Sequence, residues 1–228
     1  MRSPGNDEEL AAGFLYTESI IRSAGELESV THTHDPKNPD LANVVDAVTT
    51  GGIDLGKRGW QRNFLSASSC GLCGKLTIES VRLQVPSVRD DKLSVTPALL
   101  RALPDKMRAE QVGFAETGGI HAAGLFDREG NLVLVREDIG RHNAVDKIVG
   151  AALLAGNVPL RGHVLMVSGR TSFEIVQKAL MARIPLVAAV SAASSLSVEL
   201  AESCSMGLVG FLRGDSLNVY AGSDRIKD

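Results

Sequence analysis

Two cysteines separated by two residues stand in the run Ser68-Ser69-Cys70-Gly71-Leu72-Cys73-Gly74. The flanking glycines leave the backbone loose and the sulfurs uncrowded. Arg58, Arg62 and Lys75 are close in sequence, and nearby positive charge lowers a thiol pKa. The thiolate is the form that attacks a persulfide or disulfide sulfur. A structural zinc site needs four ligands. Beyond this pair the chain offers only Cys204 and five histidines, with no second half of a finger motif. A thioredoxin-type disulfide would follow a βαβ pattern, and none precedes the pair. A persulfide carrier fits best, since it needs a nucleophilic sulfur on a loop that reaches two partners in turn.

Three further runs carry polar side chains, two of them where a strand gives way to a helix and the third on an expected strand. The first is Arg136 to Lys147, in which Gly140 allows a tight turn before Arg141, His142 and Asn143. The start of the following helix offers free N–H groups and a positive dipole to an anion. The second is Ser168-Gly169-Arg170-Thr171-Ser172 after the apolar run Val164 to Val167. Ser, Thr and Arg at a helix start suit a phosphate, although no Walker spacing is present. The third is Thr117 to Gly124, which sets His121 among small residues that leave room for a ligand. Ser191 to Ser195 is a loop of small residues that would also let a ligand approach. Cys204 reads as a small buried residue, and His32, His34 and His163 carry no readable signal.

These residues require a scaffold. A helix is expected over Asp7–Ile21, capped by Asn6 or Asp7 and with Glu8 and Glu9 at its positive end. Strands are expected over Val30–His34 and Val44–Val48. Gly56 to Lys75 reads as a long loop, a pattern that is usually functional when it holds reactive residues. From Thr96 the pattern changes. Helices are expected over Pro97–Met107, Ala144–Leu154, Phe173–Ala182 and Leu196–Cys204. Strands are expected over Ile120–Phe126, Leu132–Arg136, Val164–Val167, Pro185–Val190, Leu208–Leu212 and Leu217–Tyr220. Strands alternating with single helices imply an α/β layered structure with a partly parallel sheet. Such sheets bind ligands at the carboxyl ends of their strands. The division expected is a small α+β unit over 1–95, ending with the cysteine loop, and an α/β unit over 96–228.

The totals narrow the function. The chain has 228 residues, 44% hydrophobic and 22% charged, with a formal net charge of -3. Nothing global calls for nucleic acid or an anionic membrane. No apolar run is long enough to span a bilayer. The acidic start lacks the apolar core of a signal peptide. Three cysteines in a chain with a real core argue against a secreted disulfide scaffold, so the cytoplasm is the expected compartment.

Taken together the chain resembles the FdhD family, the sulfurtransferase accessory proteins of formate dehydrogenases. The likeness runs through Ser3-Pro4-Gly5-Asn6-Asp7-Glu8-Glu9-Leu10-Ala11, Ser69-Cys70-Gly71-Leu72-Cys73-Gly74 and Gly118-Gly119-Ile120-His121-Ala122-Ala123. It continues through Glu137 to Lys147, Ser168 to Ser172 and Gly210-Phe211 with Arg213. The resemblance implies a mechanism. A cysteine desulfurase loads sulfur onto Cys70 as a persulfide, and Cys73 assists or receives it. The sulfur then passes to a bound molybdenum bis(molybdopterin guanine dinucleotide) cofactor, which formate dehydrogenase needs. The family assigns cofactor contact to a segment that matches Phe211, Leu212, Arg213, Gly214, Asp215 and Ser216. Arg141, His142, Asn143, Ser168, Gly169, Arg170, Thr171, Ser172 and His121 are expected to add anion contacts, with GDP-like nucleotides as mimics and no permanent metal. The alternative is a chaperone that only holds the cofactor.

The resemblance also implies a homodimer and a C-terminal part similar to the cytidine deaminase fold. Deaminases place zinc ligands in His-x-Glu and Cys-x-x-Cys motifs at two helix starts. The corresponding turns here lack the glutamate and the cysteines, so deaminase chemistry is not expected. Family members carry some tens of residues before the Ser3-Pro4-Gly5 motif, and their absence would leave a sheet edge unpaired.

Overall fold

A computed structural model describes residues 1–33, 44–52 and 85–227. Helix α1 (Asp7–Thr17) leads through a 3₁₀ turn at Ala24–Glu26 to strands β1 (Leu27–Thr33) and β2 (Val44–Thr49), which pair antiparallel. After residue 85 come α2 (Pro97–Ala109), a short α3 (Val112–Thr117), β3 (His121–Phe126), β4 (Leu132–Asp138) and α4 (Arg141–Leu154). The chain continues with β5 (Val164–Val167), α5 (Phe173–Met181), β6 (Leu186–Ala189), α6 (Ser195–Ser203), β7 (Gly207–Arg213) and β8 (Ser216–Ala221). The large sheet has the order β4-β3-β5-β6-β7-β8. Its centre, β5-β6-β7, is parallel, and the flanking pairs are antiparallel. The fold class is α/β.

The pleat explains the layers. Successive strand side chains point to opposite faces. On β5, Leu165 and Val167 pack with Ile148, Val149, Ile175 and Leu180 from α4 and α5. Val164 and Met166 pack on the other face with Leu100, Leu103 and Met107 of α2. These strands are buried on both faces, which is why they read as unbroken apolar runs rather than as alternation. Thr96 caps α2 by accepting a hydrogen bond from the Leu99 N–H at 3.1 Å, and Pro97 occupies the first turn, where its missing N–H costs nothing.

Helix α4 is buried almost all round from Ala144 to Gly150, including Asp146 and Lys147. The reason is α1, which lies on its outer side. Gly13 and Gly150 sit at the crossing, and a methyl on either would overlap the partner helix's backbone. Helix α1 is further held by Arg136, whose guanidinium donates to Glu9 at 2.5 and 2.8 Å. At its other end Thr17 Oγ1 donates to Asp146 Oδ1 at 2.7 Å, and Lys178 Nζ donates to Thr17, Glu18 and Asp146.

Two sequence expectations change here. Helix α1 ends at Thr17 rather than Ile21, as Ser19 turns the chain with a positive φ of 61°. Asn6 precedes it in a left-handed conformation (φ 57°), and its side chain makes no cap. Asp7 instead pairs with Arg2 at 2.9 Å and His32 at 3.4 Å. Cys204 is buried in the core as expected.

Candidate functional site

The strand directions bring the polar turns to one end of the large sheet. Strands β5, β6 and β7 run parallel and end there. Strand β4 ends there also, while β3 runs the other way and therefore starts there, placing His121 opposite Asp138. The loop after β5 is stitched to β3: Ala122 N–H donates to Ser168 Oγ at 2.9 Å and Ser168 N–H to the Ala122 carbonyl at 3.0 Å. It is also stitched to the loop after β6 through Thr171, whose N–H donates to the Ala192 carbonyl and whose carbonyl accepts from Ser194, both at 3.0 Å.

Between these loops lies a cleft of about 340 Å³. Arg141, Arg170, Thr171, Ser172 and Phe173 form one wall and Ala192 to Leu196 the other. The small residues of the second wall leave the space open. Arg170 is exposed, whereas Thr171 is only 1% exposed. Neither Thr171 Oγ1 nor Arg141 Nε, both buried, has a hydrogen-bond partner among the described residues. Buried donors are normally paired, and these two belong to residues that line a cleft with two arginines among the described residues.

The histidines complete the cluster. His142 Nε2 lies 3.0 Å from Ser172 Oγ and 3.8 Å from Glu174 Oε2. Burial and then the Arg141 charge push its pKa down to about 4, against the opposing pull of Glu174. His121 is also lowered, by burial and by Arg141 and Arg170. Its ring covers Gly169 closely: a methyl at Gly169 would come within 3.2 Å of His121 Nδ1. Both imidazoles are therefore neutral near pH 7 and able to donate one N–H without adding charge.

The structure thus brings together His121, Arg141, His142, Ser168, Gly169, Arg170, Thr171 and Ser172. Asn143 points elsewhere, donating to Asp138 Oδ1 at 2.9 Å and to the Met1 carbonyl at 3.0 Å. Phe211, with a positive φ of 50°, is 38% exposed and abuts the cleft's second wall, its N–H donating to the Ser191 carbonyl at 3.2 Å. Arg213 Nε donates to the Val190 carbonyl at 2.9 Å. Leu212 is fully buried among apolar residues. Gly214, Asp215 and Ser216 lie at the exposed β7–β8 turn, where the Asp215 carbonyl accepts from Arg101. Cys70 and Cys73 lie outside the described residues. Sequence reasoning missed Glu174 beside His142. Its only signal was an acidic residue in a first helical turn, which reads equally as a dipole partner. No described helix is long and apolar enough to cross a membrane.

Comparison with known proteins covers the whole chain. A sulfur carrier protein FdhD of Streptomyces avermitilis is 52% identical over 232 residues, covering 99% of this chain and 82% of its own. One of Saccharolobus solfataricus is 38% identical over 226 residues, again covering 99% and 82%. A crystal structure from Desulfotalea psychrophila, assigned as a formate dehydrogenase accessory protein, matches with a TM-score of 0.73 at 22% identity, over 100% of this chain and 82% of that one. The family profile of FdhD/NarQ matches residues 1–227, and the chain belongs to the FdhD/NarQ family.

Proposed function

We propose that this protein is a sulfur carrier that serves formate dehydrogenase by delivering sulfur to a molybdenum bis(molybdopterin guanine dinucleotide) cofactor bound as its substrate. The relatives that carry the name sulfur carrier protein support the first part. One structural observation supports the second. Two cationic turns open onto a single cleft lined by Arg141 and Thr171, whose Nε and Oγ1 are buried and have no hydrogen-bond partner among the described residues. A guanine dinucleotide brings pyrophosphate oxygens, and such a cleft suits them: Arg141 and Arg170 supply charge, and the Thr171 hydroxyl and the start of α5 supply donors. The neutral His121 and His142 leave that positive field to the arginines.

In this reading the Cys70 thiolate attacks the terminal sulfur of a persulfide on a cysteine desulfurase. The donor's S–S bond breaks, its thiolate leaves, and Cys70 carries the added sulfur. An electron pair of the acceptor attacks that outer sulfur, the S–S bond to Cys70 breaks, and Cys70 leaves as a thiolate, with Cys73 assisting. The protein works in the cytoplasm, as a homodimer.

Intact-protein mass spectrometry after incubation with a cysteine desulfurase and L-cysteine tests the carrier step. A gain of about 32 Da, one sulfur atom, is expected in the unmutated chain and in Cys73→Ala, and is lost in Cys70→Ala. No gain in the unmutated chain overturns it. If Cys70→Ala still supports formate dehydrogenase maturation in cells, the protein is a cofactor-holding chaperone instead.

A further inference from the structure

Arg141 is one of two arginines in the cleft, yet its Nε makes no hydrogen bond among the described residues. Its position therefore depends on the turn that launches it, Asp138 to Gly140. That turn is held by a residue far away in sequence. Ser3 N–H donates to Asp138 Oδ2 at 3.0 Å, and Ser3 Oγ accepts from the Ile139 N–H at 2.9 Å. The Ser3 carbonyl accepts from Lys147 Nζ at 3.2 Å. The same Lys147 pairs with Asp138 at 2.8 Å, and both side chains are buried. Asp138 Oδ1 completes the knot by accepting from the Gly140 N–H at 2.8 Å and from Asn143 at 2.9 Å. Burial pushes the Asp138 carboxyl up, but the bonds from Lys147, Gly140 and Asn143 outweigh it and hold the group below the usual range.

We propose that Ser3 is a positioning residue for the anion cleft, fixing the Asp138–Gly140 turn so that Arg141 faces the ligand. The inference rests on the reading of the cleft as an anion site. It adds a coupling: the segment ahead of α1 and the cleft favour one another's ordered state. Ser3 uses its N–H and its hydroxyl on this turn and its carbonyl on Lys147, the partner of Asp138. The hydroxyl takes up the Ile139 N–H, which precedes α4 and lies outside its hydrogen-bond ladder.

Calorimetric titration with inorganic pyrophosphate tests this on the full chain, in wild type, Ser3→Ala, Ser3→Thr, Arg141→Ala, Arg170→Ala and the Ser3→Ala/Arg141→Ala double variant. Ser3→Ala should weaken binding roughly five- to tenfold, the worth of about one hydrogen bond. Ser3→Thr, which keeps the hydroxyl, should restore at least half of the loss. Because Ser3 acts through Arg141, adding Ser3→Ala to Arg141→Ala should change affinity by less than twofold. A general loosening of the fold would weaken both backgrounds equally, and that result overturns the proposal. So does unchanged affinity in Ser3→Ala while Arg170→Ala weakens binding. If wild type fails to bind pyrophosphate, or neither Arg141→Ala nor Arg170→Ala weakens binding, the anion-site reading itself falls.

Discussion

Gly13 of α1 and Gly150 of α4 meet backbone to backbone, and a Cβ on either would fall inside a carbonyl group of the other helix, that of Asp146 or Glu9. The contact sets how closely α1 lies on the sheet's helical layer. Through it the Arg136–Glu9 and Thr17–Asp146 contacts form. Both glycines are inside helices, where alanine would ordinarily add roughly 1 kcal/mol of stability. Here the sign should reverse. Gly13→Ala and Gly150→Ala should each destabilise by about 1–3 kcal/mol or more, because the helices must separate to admit the methyl. Urea unfolding measures this, and a stabilised variant would show that the helices do not meet as described.

Much of the scaffold was legible because its signals are local. Val164–Val167 and Leu186–Ala189 are strands buried on both faces and read as plain apolar runs. The turns bearing Arg141 and Arg170 were legible from residue types at strand-to-helix junctions, and their meeting follows from strand order. Other features had no local signal. Helix α3 is six residues long, too short for a periodic pattern to show. Helix α4 starts at Arg141 rather than Ala144, because polar residues in a first turn look like loop until the turn before them is known. Asp146 and Lys147 look like a solvated face and are buried, since each has a partner far off in the chain, Thr17 at 129 and Ser3 at 144 positions away. Ser3 contributes through its N–H, carbonyl and hydroxyl, whose bonding partners no local pattern reveals.

The two arginines of the cleft should carry separable shares of anion affinity. Arg141 is partly buried and its Nε has no partner among the described residues, while Arg170 is exposed at the rim. A hydrogen bond to a charged group contributes roughly 1.5–3 kcal/mol, so Arg141→Ala and Arg170→Ala should each weaken GDP binding about 10- to 100-fold. The exposed Arg170 should lie nearer the low end, where solvent screens its charge. Calorimetry at two salt concentrations checks both statements. Unchanged GDP affinity in either variant removes that arginine from the site.

His142 should give the protein an acid sensitivity. Burial and Arg141 lower its pKa to about 4, with Glu174 opposing and Lys178 and His121 adding to the shift. Unfolded histidine takes up its proton near pH 6.5. Between those values the unfolded chain binds more protons, so His142 lowers stability as pH falls from about 6.5 to 4 and has no effect above. Urea midpoints for wild type and His142→Gln should therefore run parallel above pH 7. Below pH 6.5 the wild type should fall away faster. A bound anion in the cleft should raise the His142 pKa, visible as a shifted imidazole titration by NMR when phosphate is added. Parallel stability curves down to pH 4 would show that His142 is not held neutral by its surroundings.

Lys178 is the buried charge on which α1 depends. It is 4% exposed and lies 2.9 Å from Asp146 and 3.2 Å from Glu18. Burial alone would push its pKa down. The two carboxylates outweigh that and raise it, so the lysine stays charged. Such a network is costly to assemble and costlier to break, since removing one member leaves uncompensated charge in a low-dielectric interior. Lys178→Met keeps most of the volume and should cost about 3–5 kcal/mol. Asp146→Asn placed on that background should recover part of the loss by removing one orphaned carboxylate, while the same change in wild type should destabilise. The two-way cycle read by urea unfolding fixes the sign of the coupling. Additive effects would mean that Lys178 and Asp146 do not interact across the α4–α5 contact.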